Sequence, residues 1–198
     1  MRINNQFKNI AQPINSVFCG GYALASILYD ETKFKNFQPS DFAKLMYEKI
    51  QSYQIYNDIR KEIPPVINGT SLPSAVARVA QENGFDVSVY CNNMILNSVD
   101  GFGHIYYYEL NDLSNFGIKV DQNSREYFPP SKGISQLILV KDFQLYDDGQ
   151  HCISANFDGQ LYYLYNSASG SIDTFSNEKE FKKVIYQLGY SHLYIELS

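Results

Sequence analysis

Three residues have the types and the chain order needed for nucleophilic acyl transfer: Cys19, His151 and Asn166. The segment around the first is Asn15-Ser-Val-Phe-Cys-Gly-Gly-Tyr-Ala-Leu-Ala. Ser16 can cap a helix covering roughly residues 18–29, which places Cys19 in its first turn. N–H groups outside the helical ladder and the positive end of the macrodipole favour a thiolate there, and the thiolate is the nucleophile. Gly20 and Gly21 would let a substrate backbone come close. Gln12, seven positions upstream of Cys19, offers a side-chain amide that could donate to an oxyanion. The competing reading is a small buried cysteine on a core helix.

His151 and Asn166 are linked by a turn argument. Asp158-Gly159 between two alternating segments predicts a two-residue hairpin turn. In that register Phe157 faces Gln160, Ala155 faces Tyr162, Ile153 faces Leu164 and His151 faces Asn166. Directly opposite side chains have Cβ atoms about 4.5–5.5 Å apart, close enough for the Asn carbonyl to fix the imidazole. His151, Ile153, Ala155 and Phe157 then share an apolar face with Tyr162, Leu164 and Asn166. The slim, Ala-rich helix beginning at Cys19 is expected to pack on that face. His104 and His192 compete for the role of base, but neither has a partner at a defined offset. Asp158 is taken up by the turn, and Cys152 points away from His151 by the strand's period of two.

These residues need elements to hold them. Pro39-Ser40-Asp41 opens a second helix carrying Phe42, Leu45, Met46 and Ile50 at helical spacing. A third runs from Ser74 to Asn83 and stops at Gly84. From Phe85 the period becomes two. Strands are predicted over residues 85–91, 105–110, 134–140, 151–157, 161–165 and 192–197, with a helix over 177–188 and loop over 111–132. Helices first and strands later imply an α+β fold with a mainly antiparallel sheet, as one domain over 1–198, helical to about residue 84 and sheet-forming from about 85.

Composition excludes several classes. The 198 residues include 44% hydrophobic and 19% charged residues, enough for a real core. The net charge of −5 argues against nucleic acid and anionic membranes as partners. No apolar run is long enough for a membrane span, and Met1 to Gln12 is too polar for a signal peptide. A cytoplasmic protein, or one exported without a cleavable signal peptide, is expected. Cys19, Cys91 and Cys152 lack the paired spacing of a zinc site or a disulfide framework. Neither Gly20-Gly21 nor Gly101-Phe-Gly continues as a phosphate loop. Thiol acyl transfer needs no cofactor.

The residues resemble the papain-like cysteine peptidases, and within them the double-glycine leader peptidases of bacteriocin exporters and their stand-alone bacterial relatives. The matching pieces are Gln12, Cys19-Gly20 opening an Ala/Leu-rich helix, and the Gly84-Phe85 helix-to-strand junction. His151 at the start of a strand and Asn166-Ser167-Ala168-Ser169-Gly170 after the next complete the match. The resemblance implies a helical lobe packed on a sheet lobe, a Cys19-His151-Asn166 triad and an oxyanion role for Gln12. Two departures stand out. Gln12 and Cys19 are one residue further apart than in the family, and the leader peptidases usually carry Asp where Asn166 stands. The implied activity is thioester-mediated cleavage of a peptide or isopeptide bond in a protein or peptide substrate. Glutamine deamidation, transglutamination or peptidoglycan amide cleavage would use the same residues, as in a delivered effector or toxin. A peptide-binding module without turnover is the third expectation. Tyr106 to Tyr108 are candidates to line a substrate cleft.

Overall fold

The computed structural model describes residues 3–14, 16–54, 71–92, 102–124, 126–142 and 149–198. After a short 3-10 turn (Asn5–Phe7) come α1 (Cys19–Leu28), α2 (Pro39–Gln54), α3 (Pro73–Glu82) and β1 (Val87–Cys91). Next are α4 (Phe102–Asn115), β2 (Lys119–Asp121), β3 (Ser135–Asp142), β4 (Gly149–Phe157), β5 (Tyr162–Asn166) and β6 (Ser171–Phe175). The chain ends with α5 (Glu178–Gln187) and β7 (Tyr190–Leu197). The seven strands form one sheet in the order β2-β1-β7-β3-β4-β5-β6. Every pairing is antiparallel except β1 with β2. This is an α+β architecture, as the order of sequence patterns predicts.

Strand alternation sends side chains into two cores. Leu137, Leu139, Cys152, Tyr165, Leu193 and Ile195 face the core shared with α1, α2 and α3. Ile138, Val140, Ile153, Ala155, Leu164 and Tyr194 face the other way, against Phe181 and Ile185 of α5. Gly84, at φ 89°, ends α3 where the sequence places its stop.

Three elements differ from expectation, one being β2, which lies with the end of α4 inside the stretch 111–132 read as loop. The aromatic run 105–110 reads as a strand but lies within α4. Tertiary contacts override its β-propensity. Glu109 and Leu113, one helical turn apart, are both buried. The Glu109 carboxylate accepts the Ser74 N–H at 2.6 Å, which caps α3, whose own N-cap Leu72 has no capping side chain. β6 was invisible in the sequence because it is an edge strand with no fully buried residue, so it carries no apolar alternation. The side chains of Tyr106–Tyr108 and His104 lie outside the described ones.

Candidate functional site

Asp158 sets the register of β4 and β5. Its Oδ1 accepts the N–H groups of Gln160 at 2.8 Å and Leu161 at 2.9 Å. These bonds wrap the connection into a four-residue loop, so Phe157 pairs with Tyr162 and Ile153 with Asn166. The two-residue turn expected at Asp158-Gly159 is therefore corrected, and His151 is not opposite Asn166. A slip of two residues preserves the face, however. His151 and Asn166 remain diagonal neighbours within reach of their side chains, and His151 Nε2 lies 2.9 Å from Asn166 Oδ1.

A second bond fixes the proton. Asn166 Oδ1 also accepts the backbone N–H of Ala168 at 3.0 Å. That N–H can only donate, so the atom it meets is the carbonyl oxygen of the Asn amide, and His151 Nε2 must carry the hydrogen. Nδ1 is then the basic nitrogen of the neutral ring. His151 is 5% exposed, so this orientation is held within packed surroundings.

The helix packed under this pair is a further correction. Ile153, Ala155 and Leu164 meet α5, whereas α1 lies on the opposite face, on Cys152 and Ser154. Ser26 Oγ and Ser154 Oγ are 2.6 Å apart, both fully buried. Ser26 gives its proton to the Ala23 carbonyl at 2.7 Å, so Ser154 is the donor of the pair. This peg fixes where α1 sits along β4. Cys19 is seven residues before Ser26, about 10 Å along a helix, and His151 is three before Ser154, about 10 Å along a strand. Consistent with that match, the Cys19 charge reaches Cys152, the residue next to His151.

Cys19 is half-buried at the start of α1, whose N-cap Phe18 supplies no side-chain bond and whose first turn has no acidic residue. The other two thiols are buried. Burial, and to a smaller degree Asp121, push Cys91 up to about 11. Burial first, then the charge of Cys19, push Cys152 well above the ordinary thiol range. The hydroxyl of Tyr47 is likewise raised, by burial and then by Cys19. None of the three cysteines forms a disulfide.

Gly20 and Gly21 do not open a path for substrate. Both are buried. A Cβ on Gly20 would stand 2.3 Å from Ser71 Cβ, and one on Gly21 would stand 2.8 Å from the Ala43 carbonyl and the Tyr47 nitrogen. The glycines let α1 lie close to α2 and to the chain entering α3.

Gln12 is brought to the same place from the other end of the chain. Its N–H donates to the Ser167 carbonyl at 2.8 Å. Its side chain spans from Ser167 Oγ, 3.2 Å from Oε1, to the Ser16 carbonyl, 3.3 Å from Nε2. The structure thus joins His151 to Asn166 and Gln12 to the next residue, Ser167. His192 stands apart on β7, with φ 57° and its ring 5.2 Å from that of Tyr190.

No protein-family model matches the chain, and no curated protein matches it. Among solved structures it is similar to the crystal structure of Pseudomonas avirulence protein AvrPphB, with 10% identity, a TM-score of 0.46 and 96% of each chain covered.

Among the described residues, no group of three or more His, Cys, Asp or Glu could hold a metal ion. Among them, too, no helix is long and apolar enough to cross a membrane. Ser167 and the Ala168 N–H were missed as site components. Their signal is the string Asn-Ser-Ala-Ser-Gly, which favours a turn that folds back on the Asn side chain.

Proposed function

We propose that this chain is a cysteine hydrolase that cleaves a peptide or isopeptide bond through a thioacyl intermediate. The observation that carries the reading is the His151–Asn166 bond at 2.9 Å, with its proton placed on Nε2 by the Ala168 N–H. A base oriented in this way presents Nδ1 for proton transfer, and Cys19 is the thiol on the helix pegged to the same strand. His151 lies beyond Ile153–Asn166, the last pair of β4 with β5. Only the β4–β5 ladder ends there, since His151 still pairs with Val140 of β3, and for the proposed transfer the first turn of α1 must reach the ring past that open margin.

The chemistry follows. Nδ1 of His151 takes the thiol proton, and the Cys19 sulfur attacks the carbonyl carbon of the scissile bond. The carbonyl electron pair moves to oxygen, where the Gln12 amide and the first-turn N–H groups of α1 donate to it. Collapse expels the amine, which leaves with the proton from Nδ1, and a Cys19 thioester remains. A water then gives a proton to Nδ1 while its oxygen attacks the thioester. The second collapse releases the carboxylic acid, and the proton returns to the thiol.

The test is incubation of wild type and Cys19→Ala with a peptide library, read by mass spectrometry, after labelling with a thiol-reactive activity probe. Cleaved peptides that depend on Cys19 support the reading. A glutamine converted to glutamate without cleavage would move the activity to deamidation, and products formed equally by Cys19→Ala would overturn it.

A further inference from the structure

Ser167 follows Asn166 directly and is fully buried. The orientation of the Gln12 amide is decided at its far end, because the Ser16 carbonyl near Nε2 can only accept. Nε2 is therefore the NH2 group and Oε1 the carbonyl, which makes the Ser167 hydroxyl the donor to Oε1. The backbone around Gln12 is secured separately. Asn9 N–H donates to the Gly170 carbonyl at 2.7 Å, Gln12 N–H to the Ser167 carbonyl at 2.8 Å, and the Tyr165 hydroxyl to the Ile10 carbonyl at 2.7 Å. These bonds lay residues 9–12 along the turn 166–170 without help from the Ser167 side chain. What that side chain adds is a second anchor, beside the Ser16 carbonyl, on the last torsion of Gln12, which is intrinsically broad and nearly two-fold.

We propose that Ser167 is a positioning residue for the oxyanion donor: its hydroxyl, donating to Oε1, anchors the amide in the orientation that the Ser16 carbonyl selects and that aims Gln12 Nε2 toward the start of α1. Two consecutive residues of one turn then align two different parts of the machinery, Asn166 the imidazole and Ser167 the amide. The inference rests on the cysteine-hydrolase reading above.

The experiment compares two reactions of Cys19: acylation by p-nitrophenyl acetate, which builds an oxyanion, and alkylation by iodoacetamide, which displaces iodide at a saturated carbon and does not. Wild type, Ser167→Ala, Gln12→Ala, the double variant and Cys19→Ala are measured. Ser167→Ala should acylate about tenfold more slowly, less than the roughly 10²–10³-fold cost of removing a donor outright, while alkylating at the wild-type rate. In the Gln12→Ala background Ser167→Ala should add no further loss. Ser167→Cys, close in volume with a weaker donor, should fall between, and it keeps the comparison open if the alanine variant fails to fold. Wild-type acylation by Ser167→Ala, an equal loss in the Gln12→Ala background, or a matching loss in alkylation would each overturn the proposal. If wild type acylates no faster than Cys19→Ala, the hydrolase reading itself falls. If wild type is active and Ser167→Ala equals it, only the role of Ser167 falls.

Discussion

His151 and Asn166 are bonded at 2.9 Å although they are not paired across the sheet. The bond crosses diagonally from the beginning of β4 to the last residue of β5, and the Ala168 N–H holds the receiving oxygen in place. Asn166→Ala should therefore lower turnover by about 10- to 100-fold without abolishing it. Proton transfer by a positioned base supplies about 10²–10⁴-fold, and the ring would still be present but less often aligned. Asn166→Asp should retain most activity, because a carboxylate accepts both bonds and further favours the imidazolium. Steady-state rates of the two variants decide the matter, and an alanine variant as fast as wild type would remove Asn166 from the mechanism.

Cys19 should be the cysteine that iodoacetamide modifies in the folded protein. Cys91 and Cys152 are buried, with their thiols pushed to about 11 and well above the ordinary range. Alkylation depends on the thiolate. Peptide mapping after brief labelling near neutral pH should find the label on Cys19, with the other two modified only after denaturation. Label arriving first on Cys91 or Cys152 would contradict the assignment.

Much of this arrangement could be read in the sequence. The periods of α1, α2, α3 and α5 were legible because each buries an apolar stripe. The Cys-His-Asn order was legible because it depends on residue type alone. The β4–β5 register was not, because Asp158 forms side-chain bonds that compete with the tight turn its Asp-Gly dipeptide suggests. The pairing of His151 with Asn166 survived that error only because the slip was even. The helix under β4 was misassigned for a different reason. The face that meets α1 carries Cys152, Ser154 and Asn156, and the last two are buried although polar, so the apolar pattern drew the helix to the other face. The role of α4 was hidden as well, since the Glu109 cap on α3 joins segments 35 positions apart.

The fold should be lost at alkaline pH. Burial raises Tyr127, Tyr165, Tyr190 and Tyr194 as well as Cys91 and Cys152. Each holds its proton more tightly folded than unfolded, so its contribution is fully present below the unfolded value, about 8.5 for Cys and 10 for Tyr. Above that value the contribution declines by up to about 1.4 kcal/mol per group per pH unit until the folded group titrates. Urea midpoints should be flat near neutrality and fall steeply above about pH 9–10, together with a cooperative rise in tyrosinate absorbance. A flat midpoint through that range would show that these groups ionise without unfolding.

Gly170→Ala should loosen the strap formed by residues 9–12. Gly170 has φ +70°, and a Cβ there would stand 2.8 Å from the Ala11 nitrogen and the Ile10 carbonyl carbon. Both contacts are backbone and cannot rotate away. The left-handed conformation alone costs about 1–3 kcal/mol for a residue with a side chain, so chemical denaturation should show at least that loss. Acylation of Cys19 should fall in folded Gly170→Ala as well, because Gln12 rides on the displaced strap. A variant as stable and as active as wild type would show the strap to be dispensable.

The bond from Ser167 to Gln12 joins residues 155 positions apart, and this imposes an order of events on the newly made chain. Gln12 and Cys19 leave the ribosome well before β4, β5 and the turn that secures them. Until then α1 has no strand to cover its apolar side, and neither the imidazole nor the amide has its anchor. Contacts between such distant segments form late and slowly. The arrangement around the thiol can therefore assemble only once the chain has been made through residue 170. A chain cut short before residue 166 would carry Cys19 without the turn that holds His151 and Gln12, so activity itself would report that this distant turn has been made and folded.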